Sequence, residues 1–269
     1  MTWLTLLIFY VGLSDAFMKG GTWRRLCILN ASLGSKLETP STISDMMYRV
    51  AQGIKEAKEK NIYLALVDIP LPVTGGTELD DWPGGIQQKY SVIRPMLAET
   101  MKCLNFSQTS IKESSFLYEE DAVGIWNDKG ITIVSFPTTE QVDTLNERIR
   151  WRADGDIVCL FNQNFFLDPL SKDSSRDFLD KAEIVYKLEQ LNMRGPGALP
   201  CRGVLFREFP GPFIAARRLD QGGYVILKEY LKEPSRQELE TLFYEDSKER
   251  DKDLTIKQRI QRMIPQLPT

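Results

Sequence analysis

The stretch that most limits the fold runs from Gly130 to Phe166, GITIVSFPTTEQVDTLNERIRWRADGDIVCLFNQNFF. Ile131 to Phe136 is a short apolar, β-branched run that reads as a strand, and Pro137 breaks it. Thr138 and Gln141 then stand at the S/T-x-x-E/Q spacing, in which a hydroxyl and an amide satisfy each other's free backbone donors at a helix start. The helix is predicted to about Ala153, with Val142, Leu145 and Ile149 on one face. Asp154-Gly155 stops it before a second apolar run, Ile157 to Phe161. Strand, helix and strand joined this tightly make a parallel crossover, and a sheet built on one is covered on both faces. The expected class is therefore α/β: a mixed, mainly parallel sheet with helices on both faces, Rossmann-like in arrangement.

The flanking chain extends this scheme. Ser44 to Lys60 aligns Met47, Val50, Ala51, Ile54 and Ala57 on one face of an amphipathic helix. Ile62 to Ile69 is apolar enough for a central strand, ended by Pro70 and Pro72, which cannot donate to a ladder. After the loop Val73 to Gly85, a helix starting near Ile86 aligns Tyr90, Ile93, Leu97, Met101 and Leu104, with Pro95 expected to kink or split it. Phe116 to Trp126 is β-prone around an acidic interruption. Helix is read again from about Ser175 to Leu191, turning Phe178, Ala182, Val185 and Leu188 inward. From Val204, three short strands separated by Pro210-Gly211-Pro212 and Asp220 to Gly223 predict a C-terminal antiparallel meander. A last helix follows Pro234-Ser235 to about Arg250. Residues 41–250 are thus expected to form one α/β domain, with 251–269 an amphipathic tail.

Residues 1–16 read as a signal peptide: Thr2 to Leu13 is apolar over a length too short to cross a bilayer, and Ser14-Asp15-Ala16 offers small residues for cleavage. Residues 17–40 begin with Phe17 and are basic, rich in hydroxyls and almost free of acid up to Glu38, the composition of a transit peptide. An apolar signal followed by an aromatic residue and a basic segment resembles the bipartite presequences of secondary plastids. A secretory leader with a linker is the competing reading. It would bring a disulfide-rich or glycosylated body. Two sequons occur, Asn30-Ala31-Ser32 and Asn105-Phe106-Ser107, a three-residue motif that also arises by chance, and four isolated cysteines (Cys27, Cys103, Cys159, Cys201) do not resemble a disulfide framework.

Composition then narrows the chemistry. The chain has no histidine, which excludes Ser-His-Asp and Cys-His systems, imidazole acid–base catalysis and His-ligated zinc. Residues 1–36 hold four basic side chains and one acid, so the remainder has 30 basic and 36 acidic. An acidic body argues against nucleic acid as a partner. Neither a G-x-x-x-x-G-K-[ST] loop nor a G-x-G-x-x-G turn occurs. No cofactor and no metal are called for.

Ligands of open α/β sheets sit beyond the carboxyl ends of the parallel strands, and two loops lie there. Asp80, Asp81, Trp82, Gly84 and Gly85 precede a helix whose free N–H groups can hold an anion if a cation bridges the carboxylates. They equally read as a turn whose aspartates favour the helix start. Asn162 and Asn164, on either side of Gln163, can read a polar ligand edge or bond to local backbone. Arg207, before the Phe209-Pro210-Gly211-Pro212 turn, offers a cation or a cross-strand ion pair.

Three segments in this order, DDWPGGIQQKY (Asp80 to Tyr90), GDIVCLFNQNFF (Gly155 to Phe166) and VLFREFPGPF (Val204 to Phe213), carry a likeness beyond these patterns. Together they resemble a cyanobacterial and plastid domain family of unknown function. That family includes low-photosystem-II-accumulation assembly factors and a copy appended to a chloroplast adenylate kinase. Where that family commonly has a proline and a tryptophan, this chain has Gln163 and Phe165. The resemblance implies a plastid protein, stromal or thylakoid-associated, that assists photosystem II assembly or thylakoid biogenesis by binding protein partners. It implies at most peripheral contact with the membrane. The alternative it carries is a nucleotide- or phosphate-ligand-binding module or enzyme. It transfers no catalytic residue.

Overall fold

The computed structural model of the chain describes residues 34–72, 85–112, 115–118, 123–163, 165, 178–193 and 201–251. The crossover unit forms as its spacing predicts. Strand β5 (Ile131–Ser135) leads through the Thr138/Gln141 capping box and a 3₁₀ turn (Thr139–Gln141) into helix α4 (Val142–Arg150). Strand β6 (Ile157–Phe161) then pairs in parallel with β5. Val142, Leu145 and Ile149 are buried, and they pack on Leu64, Leu66, Val158 and Leu160.

The central strand β2 (Leu64–Asp68) is buried from Leu64 to Val67 and has parallel neighbours on both sides, β6 and β7 (Glu183–Met193). Helix α1 (Ile43–Glu59) precedes it. The Thr42 hydroxyl accepts from the Asp45 N–H at 3.0 Å, and the Asp45 carboxylate accepts from the Ser41 N–H at 3.1 Å, so one free donor of the first turn and the N–H just before the cap are satisfied locally. Gly53 lets α1 close onto β7. A Cβ at that position would lie 2.8 Å from Cγ1 of Val185.

Helix α2 (Gly85–Cys103) follows and continues as one helix through Pro95, so of the expected kink or split the split does not occur. It packs on α1, and Tyr90 stacks on Trp126 with ring centroids 6.3 Å apart. A short helix α3 (Gln108–Lys112) leads to the antiparallel pair β3 (Ser115–Tyr118) and β4 (Val123–Asp128), which completes one side of the sheet against β5.

The helix expected over Ser175 to Leu191 is corrected by the structure. Only Phe178 and Leu179 are helical among its described residues, and Glu183–Met193 is the longest strand of the sheet. The three- and four-residue spacing of apolar positions is real, but Ile184, Val185 and Tyr186 are β-prone, and the slot beside β2 supplies hydrogen-bond partners on two sides. A bulge in the β2–β7 pairing, where Leu66 faces Ile184 and Val67 faces Tyr186, breaks the alternation that would have marked the strand.

With β7 a strand, the antiparallel part is longer than the meander expected from Val204. β7 pairs with β8 (Cys201–Glu208), β8 with β9 (Phe213–Arg218), and β9 with β10 (Tyr224–Tyr230), which the two-residue strand β1 (Lys36–Leu37) borders. The ten described strands run in the order β1-β10-β9-β8-β7-β2-β6-β5-β4-β3. Three of the nine pairings are parallel and six antiparallel, so the sheet is mixed but not mainly parallel. The Rossmann-like pattern is met only in its middle, over β7-β2-β6-β5.

A final helix α5 (Arg236–Asp251) lays Leu239 and Phe243 on Leu205, Phe213 and Ala215. Ile184 packs against both this cluster and that of α4, so α4 and α5 cover one face while α1 and α2 cover the other. No helix among the described residues is long and apolar enough to cross a membrane.

Candidate functional site

The chain leaves β2 toward α2 on one face. Beyond β6 it is next described at Phe165 and Phe178, which pack into the cluster under α4 on the other face. Neighbouring strands whose exits part in this way open a crevice at their carboxyl ends, and ligands of open α/β sheets bind in such crevices. A cleft of about 1170 Å³ lies there. Pro40 to Ile43 and Met46, at the start of α1, form one wall and Lys187 to Gln190 of β7 another; Asp68 to Pro72 and Asn162-Gln163 close the base.

Strands β5 and β6 end with the same device. The residue after each donates its N–H to the neighbouring strand while turning left-handed: Phe136 (φ +52°) to the Phe161 carbonyl, and Asn162 (φ +48°) to the Val67 carbonyl, both at 2.8 Å. Asparagine tolerates this region, whereas a phenylalanine there is strained. The Phe136 ring is buried and lies under the Lys89 ammonium, 4.7 Å from its centroid.

The carboxamide of Asn162 bonds both ways to Ile69, accepting from its N–H at 2.9 Å and donating to its carbonyl at 2.8 Å. It mimics a peptide group and extends the β2–β6 pairing by one rung. The next residue behaves similarly, since Gln163 accepts from the Phe165 N–H at 3.2 Å.

On the face covered by α4 and α5, Lys187 meets three carboxylates, Asp68 at 3.2 Å, Glu189 at 3.3 Å and Glu233 at 2.9 Å. Burial alone would push the Lys187 ammonium down, but Asp68 and then Glu233 outweigh it, so it stays charged far above neutral pH. Burial pushes the Asp68 carboxyl up against the pull of Lys187. The group carries an excess of negative charge.

Of the residues singled out from sequence, Asn162 lies in the cleft and Gly85 opens α2. Asp80, Asp81, Trp82, Gly84 and Asn164 lie outside the described residues. Arg207 is not in the cleft. It sits one strand away, opposite Lys187, with its side chain ion-paired to Glu183, donating to the Gly211 carbonyl at 3.2 Å and stacked 4.4 Å from the Phe213 ring centroid. It is the cross-strand ion pair weighed above. Sequence reasoning missed Asp68 and Lys187. A lone acid ending an apolar strand was a usable signal for the first, whereas the helical reading of 175–191 hid the second.

Among the described residues Cys103, Cys159 and Cys201 are free thiols, and burial pushes both Cys159 and Cys201 up. A thiol held protonated in this way is a poor nucleophile. No group of carboxylates and thiols among the described residues is arranged to hold a metal ion.

The family model described as "Domain of unknown function (DUF1995)" matches residues 40–241. No curated protein and no solved structure matches the chain.

Proposed function

We propose, for a chain that belongs to the DUF1995 family of unknown function, a role as a non-enzymatic factor of plastids that assists photosystem II assembly or thylakoid biogenesis by holding protein partners. Residues 1–16 and 17–40 serve as the import leader in this reading, and the chain is of the low-photosystem-II-accumulation type.

One observation carries it. Three polar side chains at the cleft are engaged in building the fold: Asn162 with Ile69, Gln163 with Phe165, and Lys187 with Asp68, Glu189 and Glu233. Toward solvent the cleft turns apolar surface at Ile43, Leu71 and Leu188 and strand backbone, interspersed with the exposed Ser41, Thr42, Glu189 and Gln190, a mixed surface that suits a protein better than a small substrate. A histidine-free chain also lacks the commonest acid–base group at neutral pH.

A phosphorylated ligand in this cleft would stand beside Asp68 and Glu189, at a helix start whose Asp45 N–H is already held by Thr42. The lining sets two carboxylates against two ammonium groups, Lys89 and Lys187, so it offers such a charge no net complement.

The reading is tested by fractionating thylakoid membranes. The chain is expected to migrate with photosystem assembly intermediates, and migration only as free protein would overturn it. Alongside, millimolar adenine nucleotide with magnesium is expected to leave Tm unchanged; an upward shift growing with the logarithm of ligand would favour the phosphorylated-ligand reading instead.

A further inference from the structure

The strand β7 outruns its neighbour. Its last pairing with β2 is Lys187 opposite Asp68, yet β7 continues to Met193 against β8 alone. The chain leaving β2 does not follow it. The Ile69 N–H and carbonyl are both taken by Asn162 on the β6 side, and Pro70 and Pro72 bring no donors. Among the described residues nothing pairs with the β2-side edge of β7 beyond Lys187.

The direction of its backbone groups follows from the β8 ladder. Phe209 donates to the Val185 carbonyl, so Val185 faces β8. The register then alternates, sending the groups of Lys187, Glu189 and Leu191 to β8 and those of Leu188, Gln190 and Asn192 to the open side. This open edge borders the cleft rather than the rim of the sheet, which ends at β1 and β3.

The two faces beside the slot differ. Leu188 shares the α1 side with Ile43, which is 48% exposed, and the buried Met46, with the uncharged polar Ser41, Thr42 and Gln190 beside them. On the other side stand Asp68, Glu189 and Glu233 around the single ammonium of Lys187. A strand placed in the slot would send alternate side chains to these two faces.

We infer that the slot beside Leu188, Gln190 and Asn192 takes an extended segment of a protein partner, in which apolar and basic residues alternate, as an added strand. The backbone edge supplies hydrogen bonds that ignore sequence, and the split in wall chemistry supplies selection. The excess carboxylate charge favours lysine or arginine at every second position over acidic side chains. This rests on the partner-binding reading above and names the chemistry of the partner.

The experiment uses the full chain and a fluorescein-labelled peptide of alternating valine and lysine, followed by anisotropy. Saturable binding is expected. It should weaken roughly tenfold or more, the equivalent of one or two lost hydrogen bonds or a reversed charge pair, in each of three comparisons. These are a valine–glutamate peptide, a valine–lysine peptide N-methylated along one edge, and the Glu189→Lys protein. Gln190→Pro removes a donor that points into the slot and leaves the β8 ladder intact; it too should weaken binding, with Tm reporting that the protein is folded.

Equal binding of the N-methylated peptide would reduce the contact to charge and overturn strand addition. Binding unchanged in both Glu189→Lys and Gln190→Pro would move it to another surface, and no binding of any peptide would end the proposal. Self-association weakened by Gln190→Pro would make a second copy the occupant and overturn it as well. If the peptide fails while the chain still migrates with assembly intermediates, the slot alone falls; if the chain migrates only as free protein, the wider reading falls whatever the peptide does.

Discussion

At Lys187 a single ammonium, 12% exposed, faces three carboxylates. Replacing it by methionine keeps the bulk and removes the charge, leaving Asp68 buried without compensation. We expect a loss of about 2–3 kcal/mol at neutral pH, below the full cost of breaking a buried pair because the two glutamates are well exposed. The sign with pH follows from Asp68, whose carboxyl burial already raises above 3.8. A raised carboxyl contributes its stability below the unfolded value and loses it as pH climbs through the folded one. The deficit of Lys187→Met should therefore shrink as pH falls toward 4, and urea titrations at pH 7 and pH 4.5 measure it. Asn162 lies nearby as the sequence indicated, but its amide holds Ile69 rather than a ligand. Asn162→Ala should cost about 1–3 kcal/mol through the unpaired backbone of Ile69 and the left-handed turn. That an amide here bonds to a neighbouring strand, and not to its own loop, could not be read without knowing which strand lies beside it.

Among the elements, α4 was legible because an apolar face, a cap and a stop agree, α1 from its apolar face, and β2, β5 and β6 from short apolar runs bounded by breakers. The segment 183–193 was not, since its apolar spacing fits a helix and a bulge at Val185 hides the strand alternation. Pairing with β2 and β8 decides it, and such long-range pairing has no local signal. Helix α5 depends on Gly203 of β8, where a Cβ would come within 2.4 Å of the Ala216 carbonyl oxygen and 2.5 Å of the Phe243 ring. Backbone on one side and a buried ring on the other leave no room, so Gly203→Ala should destabilise by more than the usual 1–3 kcal/mol of overpacking, read as a fall in Tm. The same helix begins with a reciprocal cap, in which Glu238 accepts from the Ser235 N–H at 2.7 Å and its hydroxyl at 2.8 Å. The Ser235 N–H bond, and then its hydroxyl bond, hold the Glu238 carboxyl below its ordinary 4.5. A depressed carboxyl stabilises above the unfolded pKa and stops doing so as pH falls through the folded one. The first turn of α5 should lose amide protection on acidification below about pH 4.5, followed by hydrogen exchange at Glu238 and Leu239.

For the whole molecule, one crossover unit was enough to predict an α/β sheet with both faces covered, while the antiparallel majority comes from both ends of the sheet, β5-β4-β3 on one side and β7-β8-β9-β10-β1 on the other, which a local crossover does not announce. The same sheet accounts for where a partner can dock: β2 stops, β7 continues, and the cleft between them is walled by apolar and uncharged polar surface on one face and carboxylates on the other. In the proposed role this molecule serves photosystem assembly by binding rather than by catalysis. That role is tested most directly by measuring photosystem II per chlorophyll in cells lacking the gene, and again after restoring either the wild-type chain or Gln190→Pro. A reduced level is expected in the null, with recovery by the wild type and poor recovery by the variant. A normal level of photosystem II in the null would contradict it.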